Sequence, residues 1–147
     1  MENLEERLMQ ISREVHDMFI EHDLLLRHCR KIGRMECCLL HYLFEINKPI
    51  CMNDLAEHLG VSHSRITRIV DNLVKKSLVE RYPSEKDRRR WFTRINIFGK
   101  QVAEIARDEN LELHKKIIEA LPPDKAEQIV ENMKLFVEAF KKSMKTE

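Results

Sequence analysis

Cationic side chains that could bind a polyanion are concentrated in one stretch of the sequence, Val61 to Lys100. This stretch carries eleven Lys and Arg against four Asp and Glu, a balance of +7, whereas the whole chain has a formal net charge of +1. All other residues together must therefore carry −6. Cationic groups gathered in this way favour binding to phosphates, and nucleic acid is the commonest polyanion. A Lys-rich solvated surface would show the same balance, so charge alone leaves both interpretations open.

The first half of this stretch predicts a helix with a polar leading end. Its apolar residues recur at helical spacing and predict a buried stripe: Ile66, Ile69, Val70, Leu73 and Val74. Ser62 or Ser64 can cap the first turn by accepting backbone N–H bonds. The preceding sequence DLAEHLG predicts a short helix that ends at Gly60. Two helices joined by such a turn make a helix-turn-helix, whose second helix can enter the major groove of DNA.

We expect the amino-terminal half of this second helix to contact base edges and phosphates. Arg65 and Arg68 are the strongest candidates, because a guanidinium fork fits guanine O6 and N7 or a phosphate. The competing interpretation is that one of them pairs with Asp71 on the helix surface. The candidate DNA-binding residues of this helix are Ser62, His63, Ser64, Arg65, Thr67 and Arg68.

The second half of the stretch predicts a β-hairpin with a basic tip. SLVERYP and RWFTRINI have the composition of two strands, joined by the polar loop SEKDRRR. Arg88, Arg89 and Arg90 follow one another in that loop, where they could reach the minor groove of DNA. We expect Asp87 to orient one of these arginines by a salt bridge, and Gly99 to close the hairpin.

Long amphipathic helices are predicted on both sides of this basic middle. The first runs from about residue 3 to the KIG at 31–33, where Gly33 stops it, and the second runs through MECCLLHYLFEI. After the hairpin, one helix spans about 100–120, and Asp124 can cap a last one. The short middle elements cannot cover all of these apolar stripes, so a second copy of the chain is the expected cover.

Composition limits the class of protein. The chain has 147 residues, with only three Gly and four Pro, which favours one mostly helical domain. No apolar run is long enough for a membrane span, and MENLEERLMQ is unlike a signal peptide, so we expect a cytoplasmic protein with reduced cysteines. Motifs of phosphate-binding loops, nucleophile elbows and zinc proteases are missing, so an enzyme is not expected.

The order strand, helix, helix and basic hairpin, set between long helices, resembles the MarR family of transcriptional regulators over nearly the whole chain. The most specific pieces are DLAEHLGVSHSRITRIVDNLVKKSLVER and SEKDRRRWFTRINIFGK. Within the second piece, Asp87, Arg88 and Arg89 match the Asp-Arg-Arg of the family's wing. Departures are Ser84-Glu85 in place of the common Asp-Pro, and Asn96, Ile97 and Phe98 in place of the family's usual polar turn into the fifth helix.

This resemblance implies a mainly α fold with a small β-hairpin wing, a winged helix-turn-helix flanked by amino- and carboxyl-terminal dimerisation helices. The whole chain, 1–147, would be one such unit, with residues 35–99 as the DNA-binding lobe and 1–34 and 100–147 as dimerisation helices. Its implied function is a ligand-responsive repressor that acts as a homodimer on a pseudo-palindromic operator in double-stranded DNA. Half-site centres would lie about one helical turn, ~10 bp, apart.

Three kinds of signal could control such a regulator. The resemblance favours a small organic effector in the crevice between dimer helices and DNA-binding lobe, with candidate lining residues Arg13, Arg27, Arg30, His41 and Tyr42. Zinc-responsive members of the family suggest a metal site, for which Asp23, Cys29 and His41 match only part of the ligand set. Oxidation of a cysteine is the third, with four candidates: Cys29, Cys37, Cys38 and Cys51.

A winged-helix module can also use its basic face on RNA or on an acidic protein partner. Exposed aromatic platforms would favour single-stranded RNA, and Tyr82, Trp91 and Phe92 lie along the predicted hairpin. Packing of these rings within the protein is the simpler explanation. Binding to a specific duplex sequence would separate the two functions.

Overall fold

A computed structural model describes residues 3–21 and 32–145 of the chain. The chain divides into two compact units, Met1–Asp108 and Glu109–Glu147. The helices and strands, in chain order, are α1 (Leu4–Glu21), α2 (Arg34–Ile46), β1 (Ile50–Cys51), α3 (Met52–Leu59), α4 (His63–Lys75), β2 (Val79–Pro83), β3 (Trp91–Ile95), α5 (Ile97–Ala120) and α6 (Ala126–Met144). The predicted class, mainly α with a small β wing, is confirmed.

The core of the first unit lies between α2, α3, α4 and the sheet. Its largest fully buried aliphatic side chains come from all three helices: Leu39, Leu40, Leu43, Leu55, Ile66, Val70 and Leu73. The predicted stripe of α4 is therefore confirmed at Ile66, Ile69, Val70 and Leu73, which are buried. Val74 is 39% exposed, so its assignment to the stripe was wrong. It lies in the last turn of α4, where the stripe rotates away from the core.

The turn of the helix-turn-helix depends on Gly60. This residue has φ +63°, in the left-handed region that other residues rarely adopt, and its N–H donates to the carbonyls of Ala56 and Glu57. Val61 N–H also donates to Ala56, across 3.0 Å. α3 therefore ends at the predicted residue, and α4 begins only three residues later, at His63.

The three strands form one antiparallel sheet in the order β1-β3-β2. In the hairpin, Arg81 lies opposite Thr93 and Tyr82 opposite Phe92, while β1 pairs Cys51 with Phe92. The hydroxyl of buried Thr93 donates to Met52 Sδ across 3.3 Å, joining the sheet to the start of α3. The predicted hairpin of β2 and β3 is confirmed, and the predicted extended segment before α3 is β1, the third strand of the sheet.

α5 begins at Ile97, and Gly99 therefore lies within its first turn instead of closing the hairpin. Asn96 starts the helix, because its Oδ1 accepts from Gly99 N–H across 2.9 Å. A Cβ on Gly99 would collide with the carbonyl oxygen of Leu78 and approach Ile95 Cγ1 to 2.7 Å. Gly99 is thus required where α5 passes close to the strand that enters the hairpin.

Two further helix ends differ from the prediction. α6 follows Lys125, which has no side-chain cap, so Asp124 does not cap this helix. Its first turn is reached through a backbone turn in which Lys125 N–H donates to Pro122 O across 2.9 Å. Gly33 directly precedes α2 at its N-cap position, while the predicted end of the first helix near 31–33 falls partly outside the described residues.

Candidate nucleic-acid interface

The leading end of α4 is held by a serine cap. Ser62 Oγ accepts from Arg65 N–H across 3.3 Å, so Ser62 is the cap of the two serines considered. Ser64 Oγ lies 3.2 Å from Ser62 Oγ, and the Thr67 hydroxyl donates to the carbonyl of His63 across 3.0 Å. These bonds fix the first turn of α4 and leave its outward side chains to solvent.

Arg65 and Arg68 project from the exposed face of α4. The carboxylate considered as their rival partner, Asp71, is occupied by Arg81, whose Nη1 donates to Asp71 Oδ1 across 2.9 Å. Within residues 3–21 and 32–145, neither Arg65 nor Arg68 has an ion-pair partner, and both line an open groove with Met35, Glu36, Ser64, Ile69 and Asn72. The Glu36 carboxylate in this groove accepts from Asn72 Nδ2 across 2.9 Å. Their guanidinium groups are therefore available to phosphates or base edges.

The loop between β2 and β3 is a compact turn closed by its own backbone. Ser84 N–H donates to Arg90 O across 2.7 Å, and Arg90 N–H donates to Asp87 O across 2.9 Å. Asp87 Oδ1 accepts from the backbone N–H of Arg89 across 3.0 Å. The prediction that Asp87 orients an arginine side chain by a salt bridge is not reproduced in the described chain, because this carboxylate orders the loop backbone.

The helix-turn-helix and the wing meet at a small pocket of about 70 Å³, which we call the arginine pocket. Its lining residues are Cys51, Met52, Asn53, His63, Arg81, Arg89, Arg90 and Trp91. Of the predicted site residues, the fold thus brings His63 together with Arg89 and Arg90. Arg88 is exposed on the same loop and does not line the pocket.

Arginines also stack on the aromatic rings of the hairpin. Arg81 lies over Trp91 at 4.8 Å, Arg90 over Phe92 at 5.8 Å and Arg94 over Tyr82 at 5.3 Å. The pKa of Arg90 is raised, chiefly by a hydrogen bond with the Cys51 side chain. Arg94 also pairs with Glu80 across 2.7 Å, which raises the pKa of Arg94. An arginine therefore lies over each of the three aromatic rings of the hairpin.

Arg81 is the residue of this surface that sequence reasoning missed. It pairs with α4, stacks on Trp91 and lines the arginine pocket. The alternation of side chains along a strand could have indicated it. Val79, Arg81 and Pro83 lie on the same face of β2, and Val79 is buried, so this face packs against the core. A lone arginine on a buried face requires an acidic or aromatic neighbour.

The effector candidates fall partly outside the described residues. Asp23, Arg27, Cys29 and Arg30 lie outside the described residues, whereas Arg13 is exposed on α1. The pKa of His41 on α2 is lowered by burial, an effect partly opposed by Glu45, and Tyr42 stacks on His58 with ring centroids 3.6 Å apart. The ranges 3–21 and 32–145 contain no group of three His, Cys, Asp or Glu arranged to hold a metal ion.

None of the helices described is both long enough and apolar enough to cross a membrane. The three described cysteines, Cys37, Cys38 and Cys51, take part in no disulfide. Cys37 and Cys51 are buried and Cys38 is half-buried.

The fold and its exposed basic face define a winged helix-turn-helix protein. Residues 32–90 match the model of the MarR family. The transcriptional regulator AdcR of Streptococcus pneumoniae is 27% identical over 85 residues, which are 57% of this chain and 58% of that protein, so the match spans little more than half of the relative.

Solved structures share the fold over almost the full length. RV1404 from Mycobacterium tuberculosis has a TM-score of 0.77 at 24% identity, with 95% of each chain covered. A substituted form of MepR from S. aureus also has a TM-score of 0.77, at 21% identity, with 95% of this chain and 99% of that one covered. These structures show the fold, and residues 32–90 are the part of the chain that matches the MarR family of transcriptional regulators. Members of this family are not enzymes.

Proposed function

We propose that the protein is a sequence-specific regulator of transcription that binds double-stranded DNA through α4 and the wing. The observation that carries this proposal is the shared exposed face on which Arg65 and Arg68 lack intramolecular carboxylate partners within the described part of the chain. Wing arginines converge with His63 at the end of the same helix. A face of this kind has a high positive charge and a helix that fits the major groove.

The proposed contacts divide by element. The amino-terminal half of α4 supplies the groove-reading residues, Ser62, His63, Ser64, Arg65, Thr67 and Arg68. Ser62 contributes mainly as the cap, since its hydroxyl already accepts from Arg65 N–H. The wing supplies Arg88, Arg89 and Arg90 for the minor groove and adjacent phosphates. Because the cap and the closed loop already order the start of α4 and the wing, less conformational entropy would be lost on binding.

The proposed active form is a homodimer. Exposed apolar side chains lie along α1, including Leu4, Leu8, Ile11 and Phe19, and no residue of α6 is buried. The apolar residues of α6 are exposed as well: Val130, Met133, Phe136, Val137 and Phe140. Exposed apolar faces of this size on a chain of 147 residues indicate an interface with another protein, and a second copy of the chain would bury them. The resulting dimer would present two α4 helices to the two half-sites of a pseudo-palindrome.

We further propose that the protein represses transcription by blocking a promoter, and that binding of a small organic effector relieves this repression. Both rest on the family resemblance, and the described residues name no effector. The rival function, RNA binding through a bare aromatic platform, is less well supported, because arginines lie over the rings of Tyr82, Trp91 and Phe92.

Selection of duplexes tests this function. Random double-stranded DNA would be bound to the purified, reduced protein at ~0.15 M salt, and the retained fragments sequenced. We expect one palindromic motif with half-sites ~10 bp apart. Retention of RNA in preference to duplex, or of duplexes without a common motif, would contradict the proposal.

A further inference from the structure

Another groove lies at the base of the hairpin, where β3 leads into α5. It has a volume of about 540 Å³, and we call it the hairpin-base groove. The loop after α2, both hairpin strands and the start of α5 contribute to its lining, which includes Lys48, Glu80, Arg94, Ile97, Phe98 and Lys100. None of the residues proposed to bind DNA on α4 and the wing loop lies in this lining. The groove is therefore a surface that the proposed DNA contacts do not use.

The hairpin-base groove lies at the opposite end of the hairpin from the wing loop. Pro83 pairs with Trp91 next to that loop, whereas Val79 pairs with Ile95 at the base. The four residue steps between these pairs span about 13 Å along the strand. A duplex in contact with the wing loop would therefore leave the base of the hairpin accessible.

The groove also lies on the face of the hairpin that points away from the recognition helix. Arg81 on β2 faces α4, because its side chain pairs with Asp71 on that helix. Successive side chains of a strand point to opposite faces, so Glu80 points away from α4. Arg94 lies opposite Glu80 in the register and bonds to it across 2.7 Å, on the same outer face.

Two large apolar side chains are exposed in this groove. Ile97 is 67% exposed and Phe98 is 60% exposed, and both lie in the first turn of α5. Ile46, the last residue of α2, is also exposed, and it directly precedes the loop that contributes to the lining. Exposed apolar side chains that cluster together mark an interaction site, whereas single ones need no explanation.

Cationic side chains surround this apolar pair. The lining contains three cations, Lys48, Arg94 and Lys100, and one carboxylate, Glu80, which gives a formal balance of +2. The carboxylate is already bonded to Arg94. The first turn of α5 contains no acidic residue, and the amino-terminal end of a helix carries a partial positive charge. A complementary ligand is therefore negatively charged and has apolar groups beside its charges.

The combination of charge and apolar surface restricts the class of ligand. A nucleic-acid backbone would match the cations but would not bury the side chains of Ile97 and Phe98. A small organic anion is normally enclosed by its site, whereas this groove is open along one side. A polypeptide segment with Asp or Glu beside large apolar residues would satisfy both features, because it can lie along an open groove and cover the apolar pair.

We propose that the hairpin-base groove is a docking site for an acidic segment of another protein that carries large apolar side chains. Ile97 and Phe98 contact the apolar side chains of this segment, and Lys48 and Lys100 contact its carboxylates. Arg94, bonded to Glu80, forms a wall of the site. The partner and DNA bind at the same time, because the groove lies at the other end of the hairpin from the wing loop. This simultaneous binding rests on the proposed DNA-binding function, whereas the docking site itself does not.

Selection from a library of random displayed peptides tests the docking site. The library would be selected on the full-length wild-type protein and on Phe98→Ser, and the retained sequences compared. We expect the wild type to enrich peptides in which Asp or Glu flanks Leu, Phe or Trp, and Phe98→Ser to lose this enrichment. Val74→Ser is the control, because Val74 is an exposed apolar residue of α4 outside the groove, and it should keep the enrichment.

A selected peptide, labelled with fluorescein, then gives affinities by anisotropy. Phe98→Ser should bind it about tenfold or more weakly, because an aromatic contact at the centre of the site is lost. Lys48→Gln should weaken binding about two- to fivefold, and less at high salt, because exposed charge pairs are weak and screened. Lys86→Gln makes the same charge change on the wing loop, outside the groove, and should bind as the wild type does.

Three results would overturn the docking site. The first is no enrichment of acidic and apolar peptides by the wild type, or equal affinities of the wild type and Phe98→Ser for the selected peptide. The second is a larger assembly of the wild type than of Phe98→Ser in sedimentation without peptide, since another copy of the chain would then cover the groove. The third is displacement of the peptide by a saturating duplex, since the groove would then bind DNA. Failure of the wild type to bind any duplex would instead count against the proposed function and leave the peptide result standing.

Discussion

Arg81 and Asp71 form the ion pair that links the wing to the recognition helix. Arg81 Nη1 lies 2.9 Å from Asp71 Oδ1, and the side chains are 25% and 48% exposed, respectively. The same guanidinium lies 4.8 Å from the ring centroid of Trp91. One residue of β2 therefore contacts α4 and β3 together, and it leaves Arg65 and Arg68 without competition from Asp71.

Breaking this pair should affect DNA binding more than stability. Asp71→Asn is expected to change the free energy of unfolding by no more than ~1 kcal/mol, since both partners are partly exposed. Duplex affinity should fall about tenfold, because the wing is no longer fixed against α4. Glu80→Gln is the control, since it removes the more exposed pair with Arg94 on the same hairpin. Equal affinities of the two variants, measured by fluorescence anisotropy, would show that the linking pair has no role in binding.

The wing arginines should contribute to the electrostatic part of binding. Arg89→Ala is expected to weaken duplex binding and to lower the slope of log affinity against log salt by about 1, the loss of one phosphate contact. Arg107→Ala, an exposed arginine on α5, should leave both values unchanged. Titrations at several salt concentrations measure the slope. An Arg89→Ala slope equal to that of the wild type would remove this residue from the interface.

The cap of α4 gives a stability prediction. Ser62→Ala removes the acceptor for Arg65 N–H and should destabilise the protein by about 1 kcal/mol. Ser64→Ala should cost less than half as much, because Ser64 is not the cap. Urea unfolding of the two variants measures the difference. Equal losses would mean that the cap bond does not stabilise α4.

Gly99 should tolerate no side chain. In Gly99→Ala the new Cβ meets the carbonyl of Leu78, which is backbone and cannot rotate away, so we expect a loss of roughly 1–3 kcal/mol. Gly33→Ala is the contrast, since the three atoms nearest to its new Cβ all belong to the flexible side chain of Glu36. Thermal unfolding should rank Gly99→Ala well below Gly33→Ala. The reverse order would contradict the close approach of α5 to Leu78.

His41 should make stability depend on pH. Its pKa is lowered from 6.5, chiefly by burial, so the unfolded chain binds this proton more readily than the folded chain. The free energy of unfolding should therefore fall as pH drops through about 6.5 towards the lower pKa of the folded state. His41→Gln should flatten the profile as the pH falls from neutral through about 6.5 and below. An unchanged profile, from urea unfolding at each pH, would show that His41 does not cause the dependence.

Local signals made much of the fold predictable. The spacing of Ile66, Ile69 and Leu73 and the position of Gly60 were enough for the helix-turn-helix, because period and turn chemistry are read within a few residues. The start of α5 was not predictable in this way. Ile97 and Phe98 look like the end of a strand, yet they are 67% and 60% exposed in the first turn of a helix that Asn96 begins.

The candidate site divides in the same manner. Exposure of Arg65 and Arg68 follows from the helical period of α4, so these residues could be named from the sequence. The pairing of Arg81 with Asp71 depends on how the hairpin packs on α4, and the arginine pocket needs β1, α3, α4 and the wing in place together. Such contacts between distant segments have no signature in a single sequence.

The measurement that tests the central claim most directly is the specificity ratio of the wild-type protein for its selected palindromic duplex over a scrambled duplex of the same composition, at ~0.15 M salt. A ratio of ~10³ or more is expected for sequence-specific recognition, with a substantial fall in Arg68→Ala. A ratio near 1 would contradict the account, because α4 would then bind phosphates without reading bases.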